Sequence, residues 1–557
     1  MSLCILGLDG ATWDILGPLA RDGQMPHLAR LIRQGASGTL NSIFPPLSPV
    51  AWTSILTGKN SGKHGVFEFV EHHHDPHNGR VNSSRSIHAD LIWEITARHG
   101  LRTIAGAVPM SYPPRPQPFP GAFLGDFLAP QNAPDFASDP GLLRRLEAHL
   151  GQPYQPWDTS VHDGRREPQA LASLTRFLDH HLKTVEFLLT QAGPWDLFIY
   201  DLMAVDRIQH ELWHAWQPDH RLHRPDLAPV RHGFLDFWRR LDHGIGQIAD
   251  SLPADSTLIL LSDHGFGPIE YYVNFNVWLL EHGFIQLKDS FYVRQKKFFY
   301  DRGICPEWFY GLLARFGAAS TRVSRFRGKQ LTWLDRLANH AFLSREHIDW
   351  SRTTAYAQGN FGQIFLNLKG RQPHGCLDPA DARPVLDDLK ARLLQLPHPQ
   401  TGKPLVAHVY ERDDLYHGPH AHLAPDLTVV LADWRYRTIG LYDFTTNKTI
   451  SPAFGPTGDH RIEGVFIASG PAIRAGSTLA PNASLLDIAP TALRILGLTP
   501  PPDLDGRILT EALDANRLPR LDHANAPSSS SDLPDSGYSP EDEALIQQRL
   551  ADLGYLG

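Results

Sequence analysis

The chain has 557 residues, 42% hydrophobic and 20% charged, enough for one large α/β domain with insertions or for several ordinary domains. Its net charge of −8 excludes a general pull toward nucleic acid or an anionic membrane, so phosphate binding must be local. Three scattered cysteines, Cys4, Cys305 and Cys376, exclude a zinc knuckle or disulfide framework, and neither a basic leader nor a run of membrane-spanning length is present. The expectation is a soluble cytoplasmic protein with neither membrane nor duplex nucleic acid as partner.

Residues 3–8 read as a buried strand ending in Asp9-Gly10, and residues 18–34 as an amphipathic helix between glycine stops. Residues 45–65 then run Pro-Pro-Leu-Ser-Pro-Val-Ala-Trp-Thr-Ser-Ile-Leu-Thr-Gly-Lys-Asn-Ser-Gly-Lys-His-Gly. Ser48 before Pro49 is the pattern of an N-cap with proline at the first helical position. Gly58 should stop that helix, and the stretch to Gly65 should form a loop. Taken alone, Ser48 is most simply a cap. Yet a serine beside the open amides and positive pole of a helix start is well placed as a nucleophile, with a phosphoryl oxygen settling against it.

A helix over 91–99, a strand over 102–108 and a proline-rich loop to Pro120 follow. The helix 170–191 feeds the strand 196–200, which ends in Asp201 and leads to Asp206, His210 and His214. The helix 232–250 feeds the apolar strand 257–261, which ends in Ser262-Asp263-His264-Gly265. Such alternation argues for an α/β fold with a mainly parallel sheet covered by helices on both faces. Ligands of these sheets bind beyond the carboxyl ends of the strands, where Asp9, Asp201 and Asp263 fall.

Residues 270–352, with an aromatic and basic cluster over 291–300, read as an inserted cap. Strands resume at 364–368, 427–431 and 464–468, with His460 just before the last. The catalytic domain is thus expected over 1–510, followed by a polar proline-serine linker over 511–540. A closing helix within 541–557 should dock through Leu545, Leu550 and Leu553. The histidines at 72–74 and 77 lie in a polar stretch and are read as solvated.

Asp206 and His210 are four apart, so on a helix they share a face and can share one ion. Asp263 and His264 follow a strand, where a turn can aim neighbouring side chains at two ions. Each pair has an ordinary alternative, a solvated helix face for the first and an Asx turn for the second. His460 alone is an ordinary loop histidine. Together with Asp9 they form a carboxylate and imidazole set suited to zinc, with manganese or iron as alternatives.

Taken in order, Gly-Leu-Asp-Gly, the Ser48 stretch, Asp206-x-x-x-His210, Ser-Asp-His-Gly and Gly-Asp-His resemble the motifs of the alkaline phosphatase superfamily. Within it the chain is most similar to the type I phosphodiesterase and nucleotide pyrophosphatase branch, including its phosphohydrolase or phosphomutase group. The likeness spans residues 3–510, and residues 502–507 and 549–557 also look like that group. The resemblance implies two divalent ions, zinc first. One would be held by Asp206, His210 and His460, the other by Asp9, Asp263, His264 and the Ser48 oxygen. It implies Ser48 as catalytic nucleophile, a phosphoserine intermediate, and hydrolysis of a small phosphorylated substrate, most similar to a phosphodiester or nucleotide pyrophosphate. A phosphomutase of the same superfamily is one alternative. A non-catalytic binding protein on this fold is another, against which every metal-ligand position still holds Asp or His.

Two departures accompany the resemblance. The branch usually has threonine as nucleophile, where this chain has Ser48. Its phosphate-holding asparagine has no counterpart close behind Ser48, where Ala51 stands, so helix-start amides or Lys59, Asn60 or Lys63 would have to replace it. A formylglycine sulfatase is disfavoured because proline follows Ser48 directly and Trp52 stands where that motif needs arginine.

Overall fold

The computed structural model describes residues 1–71, 79–116, 118–158, 167–307, 342–440, 444–522 and 537–553. The histidines at 72–74 and 77 lie outside the described residues, as do residues 523–536 of the expected linker. An eight-stranded sheet organises the chain. Its order is Ser477–Thr478, Ala36–Asn41, Glu463–Ser469, Thr257–Leu261, Leu3–Gly7, Leu197–Asp201, Thr103–Gly106 and Gly121–Leu124. Leu3–Gly7 pairs in parallel with Leu197–Asp201 and Thr257–Leu261, and Thr103–Gly106 with both of its neighbours. Glu463–Ser469 runs antiparallel to Thr257–Leu261 and Ala36–Asn41. The sheet is therefore mainly parallel, and its central strands are buried apolar runs, as two-sided helical cover requires.

The helices Glu167–Gln191, Ala204–Trp216 and Ala228–Ser251 pack on one another, while Ser48–Thr57 packs with Ile488–Ile495. The single helix expected over 18–34 is two, Trp13–Arg21 and Pro26–Gln34. Gly23 between them takes a φ of +72°, and Pro26 opens the second helix, where its missing N–H costs nothing.

A second core gathers residues from Val273 to Phe444 around a four-stranded sheet, Ala355–Ala357, Gln363–Leu366, Leu427–Leu431 and Val406–Glu411. The strands at 363–366 and 427–431 thus belong to this second body rather than to the main sheet. The chain returns to the main sheet through Gly458–Arg461, which pairs with Gly265–Pro268 directly behind Asp263 and His264.

The C-terminal helix Pro540–Asp552 docks through Ile546, Leu550 and Leu553. Leu545, expected in that seam, is 64% exposed, because the inward stripe starts one residue later. Arg207 Nη1 donates to the Leu553 carbonyl at 2.8 Å, tying the tail to the helix that carries Asp206. Among the described residues no helix is long and apolar enough to cross a membrane.

The Ser48 helix spans Ser48–Thr57, and all of its residues are buried, as a helix with no charged side chain on any face permits. It stops where expected, at Gly58 with φ +65°. Beyond that glycine the expected loop closes into one further turn, Ser61–His64, because the Asn60 side chain accepts from Gly62 N. His64 within that turn is fully buried. Its Nδ1 accepts from Val66 N at 3.2 Å, so Nε2 carries the proton toward Ser54 Oγ at 3.0 Å. Burial, with smaller effects from neighbouring charges, lowers its pKa to about 3. The unfolded chain takes up this proton below the usual value near 6.5, and the fold does not. Stability is therefore complete above about pH 6.5 and falls by about 1.4 kcal/mol per unit as pH drops toward 3. His64→Asn should make the pH slope of urea unfolding between pH 6 and 4.5 shallower by about one proton. Equal slopes in the two proteins would mean that His64 is charged in the fold.

Candidate metal centre and active site

Three strand ends converge to make the site. Gly7 is level with Asp201 on one side and Leu261 on the other, so the residues that follow bring Asp9, Asp201 and Asp263 together. Gly7 must be glycine here, since an added Cβ would lie 2.5 Å from both Asp201 Oδ1 and the Trp52 ring. Gly10 N donates to Asp263 Oδ1 at 3.1 Å and Ser42 Oγ donates to the Asp263 carbonyl, which fixes that turn. Asp206 and His210 come from the helix Ala204–Trp216, and His460 from Gly458–Arg461, where it sits opposite Phe266.

The structure brings all seven expected residues into one buried region, in two clusters that share a border. In the first, Asp206 Oδ1 is 3.3 Å from His210 Nε2 and 3.4 Å from His460 Nε2, and the two imidazole nitrogens are 3.0 Å apart. In the second, His264 Nε2 lies 3.4 Å from Asp263 Oδ2, 3.6 Å from Asp9 Oδ1 and 3.5 Å from Ser48 Oγ. The His264 and His460 rings stack at 3.6 Å across the border. Ligand atoms of Asp9, Asp263 and His264 lie within 4.8 Å of one another, as do those of Asp206, His264 and His460.

Every imidazole in the two clusters is held in the same tautomer. His210 Nδ1 donates to the Gly458 carbonyl at 2.8 Å, His460 Nδ1 to the Pro46 carbonyl at 2.7 Å and His264 Nδ1 to the Gly265 carbonyl at 3.1 Å. With Nδ1 committed in this way, Nε2 of each ring faces the interior, the orientation that backbone carbonyls impose on metal-ligating histidines. Burial lowers the His264 pKa, which keeps that ring neutral. Burial and then the charges of Asp263, Asp201 and Asp206 push Asp9 well above the carboxylate range. Asp9 Oδ1 and Asp263 Oδ2 have no hydrogen-bond partner among the described residues. In the first cluster two imidazole Nε2 atoms face each other across a carboxylate oxygen, and in the second two carboxylate oxygens without hydrogen-bond partners lie beside a third Nε2, a poor arrangement for protein atoms alone. A divalent cation in each cluster satisfies them, so the residues present fit such ions.

Ser48 is 1% exposed, and the sequence reading of it as a cap needs correction. Leu47 occupies the N-cap position and Ser48 is the first helical residue, so its hydroxyl makes no cap bond and turns toward His264. Lys59, Asn60 and Lys63 do not serve a phosphate at Ser48. They lie past the far end of a helix of ten residues, about 15 Å long. Lys59 Nζ pairs with Asp503 at 2.5 Å, Asn60 donates twice to Asp505 Oδ2 at 2.8 Å, and Lys63 pairs with Asp505. His214 is buried away from the clusters, its Nδ1 3.1 Å from Thr457 Oγ1 and its Nε2 3.5 Å from Glu167.

Two acids were not assigned from sequence. Asp459 lies within 4.8 Å of ligand atoms of His210 and His460, with Oδ2 paired to Arg437 Nε at 3.0 Å and Oδ1 without a hydrogen-bond partner among the described residues. Asp201, whose strand-end position was visible, is fully buried, and burial followed by the Asp263 charge raises its pKa well above the usual range. A hollow of about 40 Å³ opens beside His460, lined by Phe44, Pro46, Asn360 and Phe361, with the Phe361 ring stacked 5.7 Å from His460. On the other side of the 358–363 loop a cavity of about 280 Å³ is lined by Glu68, Asn82, Tyr356, Gln363 and Arg371.

The sequence model described as type I phosphodiesterase / nucleotide pyrophosphatase matches residues 3–450. Among solved structures, an inactive murine ectonucleotide pyrophosphatase / phosphodiesterase 5 in complex with AMP aligns at 15% identity with a TM-score of 0.50. That alignment covers 93% of this chain and 99% of the other. Phosphonoacetate hydrolase from Sinorhizobium meliloti 1021, in complex with phosphonoformate, aligns at 15% identity with a TM-score of 0.51, covering 88% and 94%. Identities this low show a common fold. No curated protein matches the sequence.

Proposed function

Because the chain belongs to the type I phosphodiesterase / nucleotide pyrophosphatase family and is thereby a hydrolase of phosphoester bonds, we propose that it cleaves a small phosphodiester or nucleotide pyrophosphate through Ser48. The observation that carries this reading is the Ser48 hydroxyl, uncommitted to capping, facing His264 Nε2 at the border of two cation-ready clusters. Asp206, His210 and His460 would hold one ion, and Asp9, Asp263 and His264 the other together with the Ser48 oxygen. Imidazole and carboxylate donors favour zinc over magnesium or calcium. When bound, the ions lower the pKa of the serine hydroxyl and offset charge on the phosphoryl oxygens.

The chain's own residues do the rest. Ser48 Oγ forms a bond to phosphorus while the bond to the leaving ester oxygen breaks, the serine proton departs with that oxygen as the alcohol, and the phosphoryl oxygens lie toward the positive pole of the Ser48 helix. His264 and His460 are fixed by their Nδ1 bonds, so the site is set before substrate arrives. The water oxygen then bonds phosphorus as the phosphoserine P–O bond breaks, and one of its protons passes to Ser48 Oγ as the monoester departs. The apolar wall of Phe44 and Phe361 beside His460 shields this step from bulk solvent.

Turnover in oxygen-18 water tests the reading against a mutase, which would return the phosphoryl group to a substrate hydroxyl. One labelled oxygen in the monoester released from an aryl phosphodiester is the expected result. Unlabelled, rearranged product would overturn it.

A further inference from the structure

We propose that the helix Phe291–Asp301, with Lys288, Arg302 and Ile304 beside it, seats this protein on the surface of an anionic lipid bilayer. The helix belongs to the second body and is firmly held there. Val293, Lys296 and Tyr300, spaced three and four apart, form its buried stripe. Lys296 Nζ donates to the Phe342 carbonyl at 3.0 Å and contacts His347 Nε2 at 3.1 Å, and Tyr300 donates to the Thr446 carbonyl at 2.6 Å. Its other side is aromatic and faces out. Phe291 is 74% exposed, Phe298 49% and Phe299 45%, with Tyr292 half-exposed and Ile304 just beyond the helix end.

At 100° per residue, Phe291, Phe298, Phe299 and Tyr292 fall within one outward arc, so the patch is continuous. A contiguous aromatic face of this kind on a soluble surface marks a docking site. Its charge identifies the partner. Leaving aside the buried Lys296, residues 288–304 carry four basic and two acidic residues, the acids paired with Arg294 and Lys297, so the exposed surface is net positive in a chain whose net charge is −8. Arg302 lies 3.3 Å over the Phe298 ring, so cation and aromatic ring are presented together. A second copy placed face to face would bring like charges together, whereas an anionic interface complements them. Aromatic rings entering the acyl boundary below cationic side chains is how interfacial helices bind. An open hollow of about 620 Å³, lined by Lys288, Lys369, Trp350 and one acid, Glu346, begins three residues before the helix, and Lys288 there makes no ion pair among the described residues while Lys369 pairs with Asp378 at 3.7 Å. The expectation of no membrane partner averaged charge over the whole chain, and this patch has the opposite sign.

Co-sedimentation of the full chain with vesicles tests the proposal. Phosphatidylcholine vesicles containing about 30% phosphatidylserine should bind the protein at about 0.1 M salt and release most of it at about 0.5 M. The triple variant Phe291→Ser, Phe298→Ser and Phe299→Ser should weaken binding at least about tenfold. Arg294→Gln with Arg302→Gln should weaken it on anionic vesicles alone. All five side chains are exposed, so melting temperatures should stay at the wild-type value and separate lost binding from lost fold. Absence of binding to the anionic vesicles, equal binding to neutral ones, or a triple variant that binds as well as wild type would each overturn the proposal. A concentration-dependent dimer abolished by the triple variant, without vesicle binding, would assign the face to a second copy instead.

Discussion

Ser48→Ala is expected to lower turnover of an aryl phosphodiester by at least about 10⁴-fold while leaving the fold and bound metal near wild type. The argument is one of position. Ser48 Oγ is a buried hydroxyl at a helix start that faces His264 Nε2, and the cap position before it belongs to Leu47. Removing one oxygen therefore takes away the attacking atom without uncapping the helix. Alanine is also the better helix former, so the stability change should stay within about 1 kcal/mol. A second ion would keep Asp9, Asp263 and His264, which is enough to retain it at reduced affinity. The measurements are kcat by absorbance and metal content by emission spectroscopy on the same preparation. A variant that still turns over near the wild-type rate would remove Ser48 from the chemistry and leave direct attack by water on the substrate.

The parts of this site that were readable in the sequence are those set by local rules. Asp9, Asp201 and Asp263 each follow a short apolar run, and apolar strands of a parallel sheet deliver their next residues to a common edge. Asp206 and His210 are four apart on a helix, so their meeting at 3.3 Å follows from helical geometry. What local rules miss is set by contacts across hundreds of residues. Lys59 and Lys63 look available to a phosphate until the chain at 503–505 folds back and pairs with them. Nothing near either lysine in sequence announces that. Asp459 is missed because residues 456–460 read as a loop ahead of the strand at 464–468, and no local rule says which side chains of a loop reach a site. On the short strand Gly458–Arg461 ligand atoms of both lie within 4.8 Å of His210. Strand periodicity likewise finds 363–366 and 427–431 but carries no mark of which sheet they join.

The asparagine lacking behind Ser48 has the same lesson. The position that would hold it is Ala51, buried inside the Ser48 helix and unable to donate a hydrogen bond. Among the residues lining the hollow beside His460 is Asn360, carried in from the second body some three hundred residues later. Its backbone carbonyl is anchored by Thr438 Oγ1 at 3.0 Å, so the loop that presents it is fixed. Local reading of the Ser48 stretch has no access to residues that tertiary folding brings beside His460.

Asp263→Asn is expected to cost most of the activity, at least about 10³-fold, and about one metal equivalent per chain, whereas His214→Ala keeps both ions. The asparagine retains the structural half of the residue, because an amide oxygen at Oδ1 still accepts from Gly10 N, and the Ser42 bond is to the backbone carbonyl. It destroys the other half. Asp263 Oδ2, 3.4 Å from His264 Nε2 and without a hydrogen-bond partner among the described residues, becomes an NH₂ group that cannot ligate a cation. The ion beside Ser48 then loses an anionic ligand, and with it goes the charge that activates the serine hydroxyl. His214 stands one turn beyond His210 on the same helix, and a pattern of i, i+4 spacing alone would admit it as a ligand. Its nitrogens instead meet Thr457 and Glu167, so truncation should cost about 1–3 kcal/mol of stability and no metal. Metal analysis of Asp263→Asn, His210→Ala and His214→Ala side by side decides the matter. Loss of an ion from His214→Ala with both retained in His210→Ala would put the first ion on the wrong turn of the helix and require the site to be redrawn around Asp206 and His214.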